Sequence, residues 1–263
     1  MKKLYLLAIG LLAAGLVLST ACGGEPEGEL NLTYEVTDNG TSVKLSWDAV
    51  EGAEAYSVTV DGKLITDTIT GTTYKVTEAN AGKKITVAVV DAEISESIDF
   101  AALVKTTTLT NFGEASSPYK SAVGFNPDGS AVMYSLTDTG NYAYFDFWIS
   151  DGTAGTVNPN EIDICSPNVT YGGSGNFNSK DNWSTAWGTG YVAPTEDYQN
   201  IYPGNGGIMG GKSYALWIDP SGNEWDLNDH FVRIDISSVA NDGQVQGQVH
   251  YQTVGGLLWI PVD

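Results

Sequence analysis

The sequence predicts an all-β protein, with an N-terminal β-sandwich followed by a larger β-rich, sandwich-like domain. The chain holds 31 Gly, 14 Tyr and 7 Trp among 263 residues, and aromatic residues set between Gly, Asn and Asp turns favour strands over helices. From Leu30 to about Phe100, apolar and polar residues alternate with period two, and turn signals such as "TDNGTS" and "VDGK" interrupt the alternation. Short strands at this spacing indicate a β-sandwich.

The length of the chain is sufficient for two domains, since one domain typically takes about 100 to 200 residues. An apolar content of 42% with 17% charged residues is typical of a folded chain rather than a disordered one. We divide the sequence into a signal peptide (1–21), a tether (22–29), a first domain (30–102) and a second domain (103–263).

The net charge excludes one class of partner. With 32 acidic residues against 12 Lys and Arg, the chain carries a formal charge of −20. A protein this acidic repels the phosphate backbone of nucleic acids, so we expect no nucleic-acid partner.

The first 22 residues have the composition of a targeting segment. Lys2 and Lys3 precede an apolar stretch from Leu4 to Leu18, and small residues follow it before Cys22. This pattern is typical of a secretory signal peptide, and it is too short and wrongly flanked for a stable membrane span. Ordinary signal cleavage near Ala21 remains open at this point.

The end of that segment, "LSTAC", resembles the lipobox of bacterial lipoproteins, although Ser19 stands where Leu is usual. The resemblance implies that Cys22 becomes the lipidated first residue of the mature protein. Attachment by more than one acyl chain is stable, whereas a single chain is marginal. The run "GGEPEGE" after Cys22 is a tether. We therefore expect a lipid-anchored protein of the cell envelope, at the outer membrane or cell surface, with the membrane as a partner.

Two segments of the first domain resemble fibronectin type III domains. "TSVKLSWDAVEGAEAYSVTVDGK" is similar to the second and third strands of that fold, and "TTYKVTEANAGKKITVAVVDA" to the next part. The resemblance implies a fibronectin type III-like β-sandwich in which Trp47 packs in the core and Tyr56 lies opposite it. Ile85 stands where the corner tyrosine is usual, so the corner hydrogen bond is expected to be absent. Spacer and adhesion roles both stay open for such a domain.

In the second domain, four segments read as strands. The run "GNYAYFDFWIS" predicts a central strand covered on both sides, since rings occur on both of its faces. "KSYALWI" predicts another strand, "HFVRIDISSVANDGQVQGQVHYQT" a hairpin around Asn241 to Gly243, and "GGLLWIPV" a last strand.

One face of the predicted hairpin is a candidate binding surface. Val232, Ile234 and Ile236 share a face, and the alternation of the following strand places its polar residues on the opposite side. Four hydrogen-bonding side chains in a row could bind a sugar, or could form an ordinary solvated face. These side chains are Gln246, Gln248, His250 and Gln252.

The segment 171–211 is a predicted aromatic-rich loop. Aromatic rings stack on sugar faces or other ligands and lose little side-chain entropy on binding, but rings in a long loop also pack on one another. One helical turn in "KDNWSTAW" would place two of the rings on one face. Both interpretations, ligand contact and local packing, apply to Trp183, Trp187, Tyr191, Tyr198 and Tyr202.

Motifs for catalysis and cofactor binding are absent from the sequence. No G-x-S-x-G occurs, the two histidines lie twenty residues apart without metal-ligand spacing, and Cys165 has the setting of an inert buried thiol. "DPSGNEWDLND" offers oxygen ligands for calcium at Asp219, Asn223, Asp226 and Asp229, or forms a polar turn. We predict no enzyme activity, no metal and no cofactor, although paired carboxylates for a hydrolase stay open.

The second domain weakly resembles surface lipoproteins of Bacteroidetes-like bacteria, including haem-capturing HmuY-like proteins. The matching segments are "SAVGFNPDGSAVMYSLTDTGNYAYFDFWIS", an "SP" loop, "HFVRIDISSV" and "VHYQ". Haem capture in that group uses a histidine pair, but neither His230 nor His250 matches a ligand position of the group.

The function expected from these observations is that of an exported, lipid-anchored, non-catalytic surface binding protein. Its ligand would be a carbohydrate or another extracellular molecule, contacted by the aromatic-rich loop 171–211 and the polar strand. The alternatives are a structural or adhesion lipoprotein that recognises protein, a haem-capturing lipoprotein and a secreted hydrolase.

Overall fold

A computed structural model of the chain describes residues 26–152, 162–171, 175–204, 206–220 and 224–262. The predicted signal peptide and the first half of the predicted tether, which includes Cys22, lie outside the described residues. The chain is 44% strand and 5% helical, which confirms the predicted all-β class. Over the residues described, no helix is long and apolar enough to cross a membrane.

Seven antiparallel strands form the first sandwich. Sheet A has the order β1-β2-β5, sheet B has the order β4-β3-β6-β7, and alternate residues of both sheets fill the core between them. The predicted N-terminal β-sandwich is confirmed. Its strands are β1 (Thr33–Thr37), β2 (Ser42–Ser46), β3 (Tyr56–Val60), β4 (Lys63–Ile69), β5 (Thr73–Val76), β6 (Lys84–Val89) and β7 (Ser95–Asp99).

Two aromatic residues organise the core of this sandwich. Trp47 and Tyr56 are both buried, and their rings meet edge to face with centroids 5.4 Å apart. The Tyr56 hydroxyl accepts a 2.9 Å hydrogen bond from the Val50 N–H. Ile85 is fully buried and contributes only apolar contacts. The expected packing of Trp47 against Tyr56 is therefore what the structure shows.

Ten further strands form a larger sandwich of two five-stranded antiparallel sheets. Sheet C has the order β10-β9-β11-β12-β14, and sheet D has the order β13-β15-β16-β17-β8. Their facing sides enclose one apolar core. The strands are β8 (Val104–Leu109), β9 (Ala122–Phe125), β10 (Ala131–Tyr134), β11 (Phe147–Ile149), β12 (Ile164–Cys165), β13 (Trp183–Ala186), β14 (Ile201–Tyr202), β15 (Lys212–Ile218), β16 (His230–Val239) and β17 (Val245–Gln252).

The predicted strand in "GNYAYFDFWIS" is only partly correct. Residues Thr139–Tyr144 form a 3₁₀ helix, whose start is capped by the Asp138 carboxylate accepting the Gly140 N–H. The strand β11 begins at Phe147, in the middle of sheet C, and all three of its side chains are fully buried. The strand is therefore central and buried on both faces, as expected, but it is only three residues long.

The hairpin of β16 and β17 agrees with the sequence-based prediction. The pairing runs from Val232 with Tyr251 to Val239 with Val245, and a turn joins the strands after Ala240. Val232, Ile234 and Ile236 pack into the core, which leaves the predicted polar residues of β17 on the opposite face of sheet D.

The C-terminal segment 254–262 is not the strand that was expected. It forms a single bridge, from Trp259 to Val192, and otherwise runs between the two sandwiches. Leu257 and Trp259 are buried in the core of the first sandwich, while Leu258 and Ile260 pack against sheet D. The two-residue alternation is real, but it divides the segment between the core of the first sandwich and a separate apolar cluster on sheet D.

Hydrogen bonds fix this segment against the turn between β1 and β2. The Trp259 indole N–H donates to the Thr41 carbonyl over 3.1 Å, and the Leu258 N–H donates to the Gly40 carbonyl over 3.1 Å. Gly40 has a φ of 83°, and a Cβ at this position would collide with the Gly256 carbonyl oxygen. The contact between the sandwiches therefore requires glycine at position 40.

Candidate functional site

The outer face of sheet D collects the polar residues predicted to bind ligand. Strand pairing places Gln248 between Asp235 of β16 and Thr108 of β8. The next strand in the sheet continues this row, because Ser213 of β15 is opposite Asp235. Gln246 lies beside the row and is exposed, as is Gln248. A row of amide, carboxylate and hydroxyl groups thus crosses four strands.

A hydrogen-bonded network fixes the neighbouring side chains. Asp235 accepts a 2.8 Å hydrogen bond from Arg233 Nε and lies 3.2 Å from His250 Nε2. The other imidazole nitrogen, His250 Nδ1, lies 2.8 Å from the Thr106 hydroxyl. The Thr106 contact positions His250 through Nδ1, and Nε2 faces the Asp235 carboxylate at ion-pair distance.

The charges of this network balance one another. Burial raises the pKa of Asp235, but hydrogen bonds from His250, Ser213 and Arg233 outweigh it and hold the pKa well below its usual range. Asp235 is therefore ionised at neutral pH and is neutralised by Arg233 at 2.8 Å. The pair of Arg233 and Asp235 is therefore polar without a net charge.

The predicted row of four side chains is only half accessible. His250 is 4% exposed and Gln252 is completely buried. The Gln252 amide donates to the Trp259 carbonyl and accepts the Val254 N–H over 2.9 Å, which places it beneath the C-terminal segment. The expectation that Gln252 faces solvent or ligand is therefore wrong. His250 is buried but borders a cavity of about 250 Å³ together with Gln248, and Gln246 and Gln248 are exposed.

An open cavity of about 720 Å³ lies over the accessible part of this face. Most of the residues that line it are polar, with Lys212 and Asp235 as the charged side chains. The uncharged amide and hydroxyl residues of the lining are Thr108, Thr110, Asn111, Ser213, Ser237, Gln244, Gln246 and Gln248.

A second cavity, of about 450 Å³, shares the wall 211–213 with the first. Its lining includes the rings of Trp187, Tyr202 and Tyr214. The Arg233 guanidinium carbon lies 5.2 Å from the Trp187 ring centroid, which holds this ring in place by a cation–π contact. We call the two adjoining cavities the trough, with a polar half and an aromatic half.

The five rings of the predicted aromatic loop therefore have different surroundings. Trp187 and Tyr202 line the aromatic half of the trough, and Tyr198 lines a separate cavity next to the first sandwich. Trp183 and Tyr191 line neither cavity. The proposed helical turn is wrong, because Trp183–Ala186 is strand β13 and pairs with β15. Strand alternation, not helical spacing, places Trp183 and Trp187 on one side.

The two histidines lie on opposite faces of sheet D. By strand alternation, His230 points to the same inward side as the core residues of β16. Its ring stacks on Tyr251 with centroids 5.0 Å apart. Its Nδ1 lies 3.0 Å from the Gln252 carbonyl oxygen, and burial lowers its pKa. His250 faces outward beside Arg233. One haem therefore cannot be held between His230 and His250 in this structure.

The carboxylates near Asp219 cap their own turn. The Asp226 N–H donates to Asp229 over 2.8 Å, and the Asn228 N–H donates to Asp226 over 2.6 Å. Asn223, the remaining predicted calcium ligand, lies outside the described residues. Within the described parts of the chain, no three His, Cys, Asp or Glu residues are grouped so that they could hold a metal ion. The contacts are those of the polar turn, the alternative left open by the sequence.

Cys165 is completely buried in sheet C. Burial raises the pKa of its thiol well above the ordinary value, and the nearby charge of Asp163 adds to this. The thiolate is therefore disfavoured, in agreement with the predicted inert role.

Comparison with protein-family models, curated proteins and solved structures finds no match to this chain. The assignment of function therefore depends on the residues themselves.

Proposed function

We propose that this chain is an exported, lipid-anchored, non-catalytic surface binding protein, and that it binds a carbohydrate in the trough of sheet D. The observation that carries the proposal is the adjacency of the two halves of the trough. Amides, hydroxyls and one carboxylate line one half, and three aromatic rings line the other. A sugar chain offers both hydroxyls and apolar ring faces, so it uses both kinds of lining.

The charge of the trough supports a neutral ligand. Asp235 is already neutralised by Arg233 at 2.8 Å, so Lys212 is the one unbalanced charge on the polar half. The chain as a whole carries −20, which disfavours strongly acidic polymers. A neutral or weakly acidic glycan is compatible with both the positive charge of Lys212 and the negative charge of the whole chain.

The first sandwich would act as a spacer under this proposal. The predicted lipid site at Cys22 precedes it, and the trough belongs to the second sandwich. The C-terminal segment packs into the core of the first sandwich and against sheet D, so it would hold the trough in a fixed position on the first sandwich.

The aromatic half of the trough provides a test. We expect the mature chain to retain a defined set of neutral glycans on a glycan array. Tyr202→Ala should lower that signal by about two- to tenfold, since a specific aromatic contact contributes about 0.5 to 1.5 kcal/mol. Tyr191→Ala is the matched control, because Tyr191 comes from the same segment but lies outside the trough. An array without signal for the wild-type chain, or equal binding by Tyr202→Ala, would contradict the proposal.

A specific observation favours a second candidate, a secreted hydrolase. Thr106, His250 and Asp235 form a hydroxyl–imidazole–carboxylate series with distances of 2.8 Å and 3.2 Å. Turnover of p-nitrophenyl acetate that is lost in Thr106→Val would favour this activity. The binding function predicts no turnover above buffer for either chain.

A further inference from the structure

A cavity of about 120 Å³ lies between the second sandwich and the turn that joins β1 to β2. Tyr198, Trp217, Trp225 and Phe231 provide its aromatic lining, and Leu258 of the C-terminal segment adds an aliphatic contact. Asn39 and Thr195, which are both exposed, lie at its rim. We call this space the junction cavity, since residues of both sandwiches line it.

The rings of the junction cavity are held in fixed positions. Trp217 stacks on Phe231 with centroids 6.0 Å apart and meets Tyr198 edge to face at 5.7 Å. The Trp225 indole N–H donates to the Gly256 carbonyl over 2.8 Å. A preorganised aromatic cavity does not have to order its side chains when a ligand enters, which favours binding.

In the part of the chain that the structure describes, two residues that line this cavity have a buried polar atom without a hydrogen-bond partner, the Tyr198 hydroxyl and the Trp217 indole nitrogen. The Tyr198 hydroxyl is the one that can both donate and accept. The oxygen is buried and has no hydrogen-bond partner among the described residues. Burial raises the pKa of Tyr198 well above its ordinary value, so the hydroxyl keeps its proton and remains a donor. Buried polar groups are nearly always paired, and an unpaired one next to a cavity points to a partner that enters from outside.

The size and charge of the cavity limit the partner. An apolar cavity of about 150 Å³ accommodates benzene. The junction cavity, at about 120 Å³, is smaller but opens to solvent at its rim, so its size limits a ligand to one small ring. Among the residues that the structure describes, none that lines the cavity is charged. An organic cation would therefore lose its hydration without gaining a carboxylate partner, whereas a neutral ring loses little.

We propose that the junction cavity is a second binding site, which takes a single small neutral aromatic ring bearing a hydroxyl group, that is, a phenol. The ring packs among Trp217, Trp225 and Phe231, and its hydroxyl oxygen accepts the proton of the Tyr198 hydroxyl. The site is separate from the trough and does not depend on the proposed function.

Phenol, toluene and tetramethylammonium are the probes for this site. The mature chain is titrated with each, and both tryptophan fluorescence and the melting temperature are recorded. We expect saturable binding of phenol in about the millimolar range, as the small number of atoms allows. Toluene should bind at least about fivefold more weakly, since it leaves the hydroxyl unpaired. Tetramethylammonium should give no saturable change.

Variants separate the roles of the hydroxyl and of the cavity itself. Tyr198→Phe should retain toluene binding and lose the preference for phenol, whereas Tyr144→Phe, an exposed tyrosine elsewhere in the second sandwich, should bind both as the wild type does. Thr195→Trp, a change at the exposed rim, should obstruct both ligands without altering the core. No saturable phenol binding, equal affinity for phenol and toluene, preference for the cation, or unchanged phenol binding in Tyr198→Phe or Thr195→Trp would overturn the proposal.

Discussion

Two buried hydroxyl groups have opposite surroundings, although both belong to tyrosines. The Tyr198 hydroxyl has no partner among the described residues, while the Tyr56 hydroxyl accepts the Val50 N–H over 2.9 Å. We expect Tyr198→Phe to raise the free energy of unfolding of the ligand-free chain by about 1 kcal/mol, because it removes an unpaired buried group. Tyr56→Phe should lower it by about 1 kcal/mol, since it leaves the Val50 N–H unpaired. Urea unfolding measures both changes in the free energy of unfolding. Changes of the same sign in the two variants would contradict this interpretation.

Asp229 makes the stability of the chain depend on pH. Burial raises its pKa to about 6, with the charge of Asp219 adding to the shift. The folded state therefore keeps a proton that the unfolded state loses near pH 4, so stability should fall as the pH rises from about 4 to above 6.

Asp229→Asn tests this dependence. We expect the variant to gain about 1 to 2 kcal/mol over the wild type at pH 7.5, after allowance for solvent screening, and to show little gain at pH 4. Asp67→Asn, at an exposed position of β4, is the control and should follow the wild type. Urea unfolding at the two pH values decides the matter, and a gain that is equal at both would show that Asp229 is not the titrating group.

For single residues, the sequence predicted which side chains share a face of a strand. It did not predict which of those side chains are buried by other parts of the chain. The alternation of β17 correctly places Gln246, Gln248 and His250 together, because strand geometry is local. The burial of Gln252 depends on the C-terminal segment, whose path is decided by contacts with another sandwich. Arg233 and Asp235 were missed as site residues, although their alternation with the apolar positions of β16 already placed them on the outer face.

At the scale of elements, the C-terminal segment has the largest expected effect. Trp259 is completely buried, contacts Phe100 with ring centroids 5.3 Å apart and donates to the Thr41 carbonyl. We expect Trp259→Ala to lower the free energy of unfolding by about 3 to 5 kcal/mol, as large-to-small changes of buried Trp do. Leu227→Ala, at a residue that is 61% exposed, should change it by less than about 0.5 kcal/mol. A small effect of Trp259→Ala in chemical unfolding would contradict the packing.

The same segment shows where prediction of elements reaches its limit. "GGLLWIPV" alternates as a strand does, and its two sets of side chains are indeed buried on opposite sides. Periodicity indicates that both sides of a segment are buried. It does not show whether the segment lies within a sheet or between two separate apolar clusters. The reverse holds for Thr139–Tyr144, where rings in a strand-like pattern form a 3₁₀ helix after the Asp138 cap. The all-β class was predictable because it depends on the local alternation of apolar and polar residues. It does not depend on which element each segment packs against.

For the whole molecule, the shared C-terminal segment predicts coupled unfolding of the two sandwiches. Leu257 and Trp259 belong to one core, while Leu258 and Ile260 belong to the cluster on sheet D. Scanning calorimetry of the wild-type chain should show one transition, and Trp259→Ala should separate it into two. Two transitions in the wild type would show that the sandwiches unfold independently.

The central claim is that the trough of sheet D binds a glycan, and the polar half tests it most directly. The measurement is glycan-array binding of the wild-type mature chain, of the double variant Gln246→Ala/Gln248→Ala, and of Gln199→Ala, which removes an exposed glutamine outside the trough. We predict that the wild type and Gln199→Ala retain the same glycans and that the double variant loses at least about tenfold in signal, the equivalent of about 1.4 kcal/mol. Equal binding by all three chains, or no binding by the wild type, would contradict the claim.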